Sequence, residues 1–404
     1  MRAVIEKGRA RGKISAPPSK SMAHRLLIGA ALAEGVSRVR GISLCEDVLA
    51  TVDCLNALGA KIELSGGEAV VSGFDPRLSK PTAPLSARES GSTLRFLLPL
   101  ALLSGNPARF VGAGRLMERP MEVYRQLCNE HGLLFRQEDG ITVAGALRGC
   151  DISLRGDVSS QFITGLLFAL PFLGGERRIH ITTDIESRSY IDLTLAAMGA
   201  FGVMAVWENE RTLLVPEGSR YTPRDVTVEG DWSGAAFPEA LNLFGGEVEI
   251  SGLLSDSSQG DRVYRRYYEA LLSGRAELSI KDCPDLGPVL FAVASALNGA
   301  RITDTRRLRI KESDRAAAMA EELSKFGGRV RVYENSVEID KTELHAPKEI
   351  LCGHNDHRIV MALSVLCTLF GGEIEGASAV SKSYPTFFDD LGKLGIKVRL
   401  YETE

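Results

Sequence analysis

The sequence repeats one local pattern six times, and this repetition restricts the possible folds more than any other feature. Each copy opens with a short polar run that predicts the start of an apolar helix, and closes with a glycine that predicts the end of a later helix. The glycine follows its helix start by 38 to 42 residues in every copy. The predicted helix starts are Lys20, Ser92, Ser160, Ser233, Asp285 and His357, and the matching glycines are Gly59, Gly132, Gly199, Gly274, Gly327 and Gly395.

Alternating apolar residues after these glycines predict a strand in each copy. We expect half-buried strands, for example, at Val330 with Val332 and at Val398 with Leu400. Six units in 404 residues divide into two groups of three, with a break in the turn-rich stretch near residues 228–231. An α/β protein without internal repeats also contains helix–glycine–strand units, and it is the alternative interpretation.

The overall charge and the cysteines exclude several classes of protein. With 48 basic and 52 acidic residues the net charge is -4, which disfavours a nucleic-acid-binding protein. Seven scattered cysteines without a CxxC pair disfavour a disulfide framework and fit a reducing cytoplasm. No run of 18 apolar residues predicts a membrane span, and residues 1–15 lack the apolar stretch of a secretory leader. We therefore expect a cytoplasmic protein.

The predicted helix starts carry residue types that bind anions. A helix N-terminus offers unpaired N–H groups and a partial positive charge, and serine hydroxyls add donors. Lys20, Arg25, Arg95 and Arg358 also place a cation on or beside a first turn, where it opposes the helix dipole. A bound anion would resolve this conflict, although each polar run alone is also an ordinary N-cap.

Further charges lie in the short polar motifs GRLMERP, RIKESDR and VSKSYP. Their cations Arg119, Lys311, Arg315 and Lys382 suit a pocket for phosphates and carboxylates, or else a solvated surface. Glu312 and Asp285 are ionisable groups among cations, and they are candidates either for proton transfer or for structural ion pairs.

Other common sites are absent from the sequence. It contains neither a GxxxxGK[ST] phosphate loop nor a GxSxG nucleophile motif, and GAGRLM lacks the third glycine of a dinucleotide fingerprint. His354 and His357 could be read as metal ligands, but no further histidine or cysteine lies nearby at ligand spacing, so we predict no metal site.

Ten motifs along essentially the whole chain resemble those of the 5-enolpyruvylshikimate-3-phosphate synthase family. In order they are GKISAPPSKSMAHR, SGSTLRF, ERPM, SSQFITGLL, SRSYIDLT, EGDWSGAAF, PDLGP, RIKESDRAAAM, DHRIVMAL and VSKSYPTFF. The resemblance implies an α/β fold, a two-domain inverse α/β prism with three βαβαββ-type repeats in each domain. It implies a first domain at residues 14–228, which mainly binds shikimate 3-phosphate. The second, at residues 229–404 with a strand from residues 1–13, carries the catalytic carboxylates and phosphoenolpyruvate-binding Arg and Lys.

The resemblance also implies a reaction and its substrates. The enolpyruvyl group of phosphoenolpyruvate is transferred to the 5-hydroxyl of shikimate 3-phosphate by addition and elimination, with release of phosphate. This step belongs to the shikimate pathway, which leads to chorismate and the aromatic amino acids. The family needs no metal or organic cofactor, and we expect a monomer that binds two small molecules and neither nucleic acid nor membrane.

Site residues are carried over motif by motif. The resemblance implies that Lys20, Asp285 and Glu312 are catalytic. It implies a shikimate 3-phosphate site of Lys20, Ser21, Arg25, Ser159, Ser160, Gln161, Ser187, Tyr190, Asp285 and Lys311. It implies a phosphoenolpyruvate site of Lys20, Gly91, Arg119, Gln161, Arg315, Arg358 and Lys382. Because Gly91 lies at the position beside the phosphoenolpyruvate phosphate, where a methyl group would crowd a longer analogue, we expect inhibition by glyphosate.

Three departures and two alternatives accompany this interpretation. Glu89, Ser189 and Arg307 differ from residues that are frequent in the family, which affects fine contacts and removes none of the charges above. The first alternative is UDP-N-acetylglucosamine enolpyruvyl transferase, which shares the fold and donor; the Lys20–Ser21 pair and the cysteine-free GRLMERP motif disfavour it. The second is a non-catalytic anion-binding repeat protein, which would need neither Asp285 nor Glu312.

Overall fold

The computed structural model describes residues 1–402, which form twelve α-helices and twenty-two β-strands. The helices are α1 Lys20–Leu32, α2 Glu46–Leu58, α3 Gly91–Ala101, α4 Glu122–Glu130, α5 Ser160–Ala169, α6 Arg188–Ala200, α7 Trp232–Ala240, α8 Tyr264–Ser273, α9 Gly287–Ala296, α10 Arg315–Lys325, α11 His357–Phe370 and α12 Phe387–Lys393. The strands are β1 Arg2–Ile5, β2 Arg11–Ser15, β3 Val36–Arg40, β4 Lys61–Ser65, β5 Glu68–Ser72, β6 Leu85–Ser86, β7 Gly105–Val111, β8 Leu134–Gln137, β9 Ile141–Gly145, β10 Ile152–Leu154, β11 Arg177–Ile181, β12 Val206–Asn209, β13 Thr212–Val215, β14 Asp225–Thr227, β15 Glu247–Ser251, β16 Ala276–Ser279, β17 Ala300–Thr303, β18 Arg329–Val332, β19 Ser336–Asp340, β20 Leu351–Cys352, β21 Gly372–Glu375 and β22 Val398–Tyr401.

The chain divides into two units by its backbone contacts. The N-terminal unit is Lys20–Glu229, and the C-terminal unit combines Met1–Ser19 with Gly230–Glu404. Each unit has its own hydrophobic core. Within residues 1–402, none of the helices has both the length and the apolar character that a bilayer crossing requires.

The N-terminal unit contains three four-stranded sheets with the same plan. Their strand orders are β14–β3–β5–β4, β6–β7–β9–β8 and β10–β11–β13–β12. In each sheet the first pair is parallel and the other two pairs are antiparallel. The repeated sheet order is the structural counterpart of the repeat in the sequence.

The C-terminal unit has two sheets of the same plan, β16–β17–β19–β18 and β20–β21–β1–β22, and a two-stranded parallel sheet, β15–β2. Strand β1 lies between β21 and β22, so that Ala3 is opposite both Ile374 and Leu400. The beginning of the chain therefore completes sheets whose other strands come from its second half.

Some helices are buried on every side because their sequences are apolar all round. In α3 every residue except Ser92 is buried, and in α5 every residue except Gln161. Helices α9 and α11 of the C-terminal unit are similarly buried. Since these helices have no solvated face, their ends are where polar groups are concentrated.

The structure confirms most of the predicted helix starts. Lys20, Ser160 and His357 are the first residues of α1, α5 and α11, while α3 and α7 begin one residue before the predicted position. The prediction for Asp285 was wrong: it lies in the 3-10 turn Pro284–Leu286, and α9 begins at Gly287. Pro288 explains the shift, because proline is accommodated in the first helical turn, where its missing N–H costs nothing.

Five of the six glycine predictions also hold, since these glycines follow helices with positive φ. The sixth, Gly199, was wrong: it lies inside α6, and Gly202, with φ 89°, follows the helix instead. The helix extends because Phe201 beyond it is fully buried against the α1 residue Gly29. The strand with Val398 and Leu400 was expected to be half-buried, but on β22, an edge strand, only Val398 is partly buried and Leu400 is 46% exposed.

Replacing Gly165 of α5 by alanine tests the close packing of α3 against α5. The added methyl carbon would overlap the Arg95 carbonyl oxygen and the Tyr124 hydroxyl, which donates to that same oxygen. We expect Gly165→Ala to lower the free energy of unfolding by about 3 kcal/mol, as overpacked cores do. The matched control is Gly199→Ala, since a methyl group there meets nothing within 4 Å; it should be neutral or slightly stabilising. Urea denaturation measures the free energy of unfolding of both variants. Equal values for Gly165→Ala and Gly199→Ala would contradict the packing argument.

Candidate active site

The first turns of α3 and α5 form one hydrogen-bonded group in the N-terminal unit. Arg95 Nη1 donates to Gln161 Oε1 at 2.7 Å, and Gln161 Nε2 donates to Ser92 Oγ at 3.0 Å. A methyl group on Gly91 would lie 2.9 Å from Arg119 Nη1 and 3.3 Å from Arg95 Nη1. The predicted residues Gly91, Arg119 and Gln161 are therefore brought together, and a methyl group on Gly91 would require the side chain of Arg119 to shift.

Arg25 joins the start of α1 to the start of α6. Its guanidinium donates to the Ser21 carbonyl at 2.7 Å, the Tyr190 carbonyl at 3.0 Å and the Thr194 hydroxyl at 2.9 Å. It also lies over the ring of Phe96, 5.0 Å from the centroid. Burial lowers the pKa of Arg25 to about 9, because these acceptors are neutral and do not compensate its charge. A buried cation with neutral partners is suited to a ligand anion.

The remaining predicted residues of this unit surround the same helix ends. Ser159 caps α5 by accepting from the Gln161 N–H at 3.3 Å, and Ser160 follows it in the first turn. Ser187 precedes α6 in the left-handed region, with φ 57°, and is buried. A non-glycine residue in that region is strained, and such strain is concentrated at functional sites.

Lys20 has an acidic partner that sequence reasoning missed. Its Nζ donates to Asp47 Oδ2 on α2 at 2.8 Å. Lys20 and Arg25 also act on His24, whose pKa lies well below its usual value, first because of burial and then because of these two cations. The imidazole is therefore neutral, and the positive charge here resides on the lysine and the arginine.

Arg315 is the centre of the charged cluster in the C-terminal unit. Its side chain is 1% exposed and donates to Asp356 at 2.8 Å, to Asp285 at 2.9 Å and to Glu312 at 2.7 Å. Burial opposes the charged form, yet the pKa of Arg315 is raised above its usual value because three carboxylates surround it. The structure thus brings together Arg315 and both predicted proton-transfer carboxylates.

Asp285 forms ion pairs with two further cations. Lys311 Nζ lies 3.2 Å from its Oδ1, and Arg358 Nη2 lies 3.3 Å from its Oδ2. Burial lowers the pKa of Lys311 to about 8, and the nearby charge of Asp285 only partly opposes this effect. Asp285 therefore accepts from three cations, one of which can change its charge near neutral pH.

Arg358 and Lys382 extend the cluster along the start of α11. Arg358 Nη1 donates to Ser233 Oγ at 2.6 Å, and Lys382 Nζ donates to the Asn355 carbonyl at 2.7 Å. Asp356, which the sequence analysis did not select, caps α11 through the Arg358 N–H at 2.9 Å and is fully buried. A helix-capping aspartate in NDHR was a signal that could have identified it.

The three departures from the family pattern lie close to this chemistry. Glu89 lies beside Gly114, where a methyl group would be 2.9 Å from its Oε2. Ser189 is in the first turn of α6, and Arg307 is buried in the 3-10 helix Arg306–Ile310, where its charge helps to lower the pKa of Lys311.

The hydrogen-bonded group of the N-terminal unit and the charged cluster of the C-terminal unit differ in the chemistry that they can support. In the N-terminal unit, arginines and serines at helix starts offer donors to anions. In the C-terminal unit, carboxylates held by cations combine anion binding with groups that can exchange protons.

Comparisons with known proteins agree with the motifs. The family model for EPSP synthase (3-phosphoshikimate 1-carboxyvinyltransferase) matches residues 4–391. A 3-phosphoshikimate 1-carboxyvinyltransferase of Clostridium botulinum (strain Eklund 17B / Type B) is 38% identical, over 97% of this chain and 96% of the relative. The protein of the same description from Clostridium kluyveri is 39% identical, over 95% of both chains.

Solved structures share the fold. EPSP synthase from Acinetobacter baumannii aligns with a TM-score of 0.79 and 21% identity over 100% of both chains. The enolpyruvyl transferase NikO from Streptomyces tendae aligns with a TM-score of 0.78 and 16% identity over 98% of both. These likenesses confirm the predicted enolpyruvyl transferase fold of repeated α/β units.

Substitution of Arg315 tests its role as the centre of the carboxylate cluster. Arg315→Met leaves three buried or half-buried carboxylates without their shared cation, so we expect a loss of about 4 kcal/mol in the free energy of unfolding. The control is Arg331→Met, which removes an exposed arginine paired with Glu338 and Asp340 and should cost at most about 1 kcal/mol. Equal losses in urea denaturation would show that Arg315 does not hold the cluster.

Proposed function

The chain belongs to the EPSP synthase (3-phosphoshikimate 1-carboxyvinyltransferase) family of the shikimate pathway, and we propose how its residues carry out the family's reaction. In that reaction C3 of phosphoenolpyruvate is protonated, C2 becomes electrophilic, and the 5-hydroxyl of shikimate 3-phosphate adds. The tetrahedral intermediate then loses phosphate from C2 and a proton from C3, which restores the carbon–carbon double bond. The observation that carries the assignment is the Asp285 carboxylate, which is held by Lys311, Arg315 and Arg358.

We propose that shikimate 3-phosphate binds mainly to the first domain, residues 14–228. Arg25 is buried among neutral acceptors, so a phosphate or carboxylate would compensate its charge. The other residues proposed from this domain are Lys20, Ser21, Ser159, Ser160, Gln161, Ser187 and Tyr190. Asp285 and Lys311 of the second domain, residues 229–404 with 1–13, complete the proposed set.

Phosphoenolpyruvate needs cations for both of its charged ends. We propose Lys20, Gly91, Arg119 and Gln161 from the first domain, because Gly91 brings the backbone next to two arginines without a side chain of its own. From the second domain we propose Arg315, Arg358 and Lys382. Arginine pairs that bind a carboxylate in two places explain why this site requires arginine rather than lysine alone.

The proposed proton transfers use the carboxylates of the C-terminal cluster. Asp285 takes the proton of the attacking hydroxyl, since three neighbouring cations favour its carboxylate form. Glu312 and Lys20 act at the enol carbon. Because the steps exchange only protons and phosphate, we propose that they require neither a metal nor an organic cofactor.

We also propose that the enzyme is a cytoplasmic monomer. The seven cysteines are free thiols, which suits a reducing compartment, and one chain supplies every residue of the proposed sites. Light scattering after size-exclusion chromatography measures the molar mass, and a mass of twice 43.7 kDa would contradict the monomer.

Phosphate release from phosphoenolpyruvate tests the acceptor. We expect release with shikimate 3-phosphate and none with UDP-N-acetylglucosamine. Release with the nucleotide sugar alone would contradict the assignment of shikimate 3-phosphate as the acceptor. Asp285→Ala should bind shikimate 3-phosphate but release no phosphate, whereas an anion-binding repeat protein would have no turnover to lose.

The crowding at Gly91 predicts how glyphosate acts. We expect glyphosate to inhibit at low phosphoenolpyruvate, and Gly91→Ala to raise its inhibition constant by about ten-fold or more, since a methyl carbon 2.9 Å from Arg119 Nη1 displaces a longer ligand. The Michaelis constant for phosphoenolpyruvate should rise less. Gly199→Ala, in open space, is the control and should leave both constants unchanged. Wild-type turnover that withstands millimolar glyphosate would contradict the proposed position of Gly91.

A further inference from the structure

Glu322 is a buried carboxylate outside the residues assigned so far. It lies on α10, its side chain is 0% exposed, and it accepts from three groups. Lys325 Nζ donates to both oxygens at 2.9 and 3.0 Å, the Cys352 N–H donates at 2.9 Å, and His354 Nε2 lies 3.1 Å away. Burying a carboxylate is unfavourable unless it is paired and hydrogen-bonded, and these partners on both oxygens meet that requirement.

Two of these partners belong to a strained segment, residues 352–355. His354 and Asn355 are consecutive non-glycine residues in the left-handed region, with φ of 48° and 52°. Such residues keep this conformation only when the surroundings impose it. Glu322 contacts the segment at Cys352 and at His354, and it therefore holds the segment at its beginning and at its first strained residue.

The segment leads directly into groups proposed for phosphoenolpyruvate. The Asn355 carbonyl accepts from Lys382, and Asp356 accepts from Arg315 and caps the first turn of α11. Arg358 lies in that turn. A shift of the segment would therefore move Lys382, Arg315 and Arg358 together.

A metal site is the other use that this cluster suggests. Ligand atoms of Glu321, Glu322 and His354 lie within 4.8 Å of one another. However, the Lys325 ammonium already contacts both oxygens of Glu322 and occupies the place of a cation. The cluster is therefore better suited to holding the backbone than to binding a metal ion.

We propose that Glu322, acting through His354 and the Cys352 N–H, is a positioning residue for the phosphoenolpyruvate site. Its carboxylate fixes the two left-handed residues, and these fix Lys382, Arg315 and Arg358 in the geometry that grips the substrate. The identity of the affected substrate, phosphoenolpyruvate, rests on the proposed function. The ordering of residues 352–358 by Glu322 does not depend on that function.

Glu322→Gln and His354→Gln test the proposal against the control Glu321→Gln, which neutralises the adjacent exposed carboxylate. For both test variants we expect the Michaelis constant for phosphoenolpyruvate to rise about ten-fold, the effect of losing one hydrogen bond to a charged group. The constant for shikimate 3-phosphate should change less than two-fold, and the control should match wild type. Equal rises in the two Michaelis constants would contradict the proposal. A lower melting temperature with unchanged Michaelis constants would show that Glu322 has only a structural role.

Hydrogen–deuterium exchange makes the test independent of catalysis. We expect the amides of residues 352–358 to exchange faster in Glu322→Gln and His354→Gln than in Glu321→Gln, and unchanged exchange would overturn the proposal. If Glu322→Gln does not fold, the exchange rates of His354→Gln decide the test, because that substitution leaves the ion pair between Glu322 and Lys325 intact. If wild type released no phosphate with shikimate 3-phosphate, the proposed function would fail, while the exchange data would still report on the positioning.

Discussion

The burial of apolar helices on every side is the constraint on which each unit depends. Helices such as α3, α5, α9 and α11 have no polar face, so sheets and neighbouring helices must cover them completely. Unpaired backbone N–H groups, hydroxyls and charges then have only the helix ends to occupy. The proposed site residues lie there for this reason: Gly91 and Ser160 begin α3 and α5, and Arg358 lies in the first turn of α11. The fold thus concentrates anion-binding groups without requiring a positively charged surface, which agrees with the net charge of -4.

Arg25 and Arg315 differ in how their charges are compensated. Arg25 in the N-terminal unit donates to neutral oxygens, whereas Arg315 in the C-terminal unit is surrounded by carboxylates. A cation with neutral partners is ready to bind an anion, because nothing has to be displaced. A cation with carboxylate partners is held in one geometry until an anion competes for it. Arg25 and Arg315 therefore differ in what a bound anion has to displace.

The sequence predicted what depends on local chemistry and missed what depends on tertiary contacts. Helix starts such as Ser160 were predictable because the capping serine before it and the apolar residues after it are neighbours in the chain. The start at Asp285 failed because Pro288 sets the first turn, and Gly199 failed because Phe201 packs against another helix. The partners Asp47 of Lys20 and Asp356 of Arg315 lie 27 and 41 residues away, and no spacing rule links residues so distant. The candidate groups were predictable from the motifs, whereas their pairing was not.

The ion pairs of the C-terminal cluster are better explained by function than by stability. Moving two charged groups out of water often costs more free energy than their attraction contributes. Well-packed apolar side chains would therefore usually stabilise such a position equally well. Retaining Asp285 among three cations therefore makes sense only if those cations are needed for another anion. Under the proposed function, a substrate phosphate or carboxylate that binds Lys311 or Arg358 competes with Asp285 for these cations. In the proposed mechanism, the buried charges that weaken the fold are therefore the same charges that link substrate binding to the release of Asp285 for proton transfer.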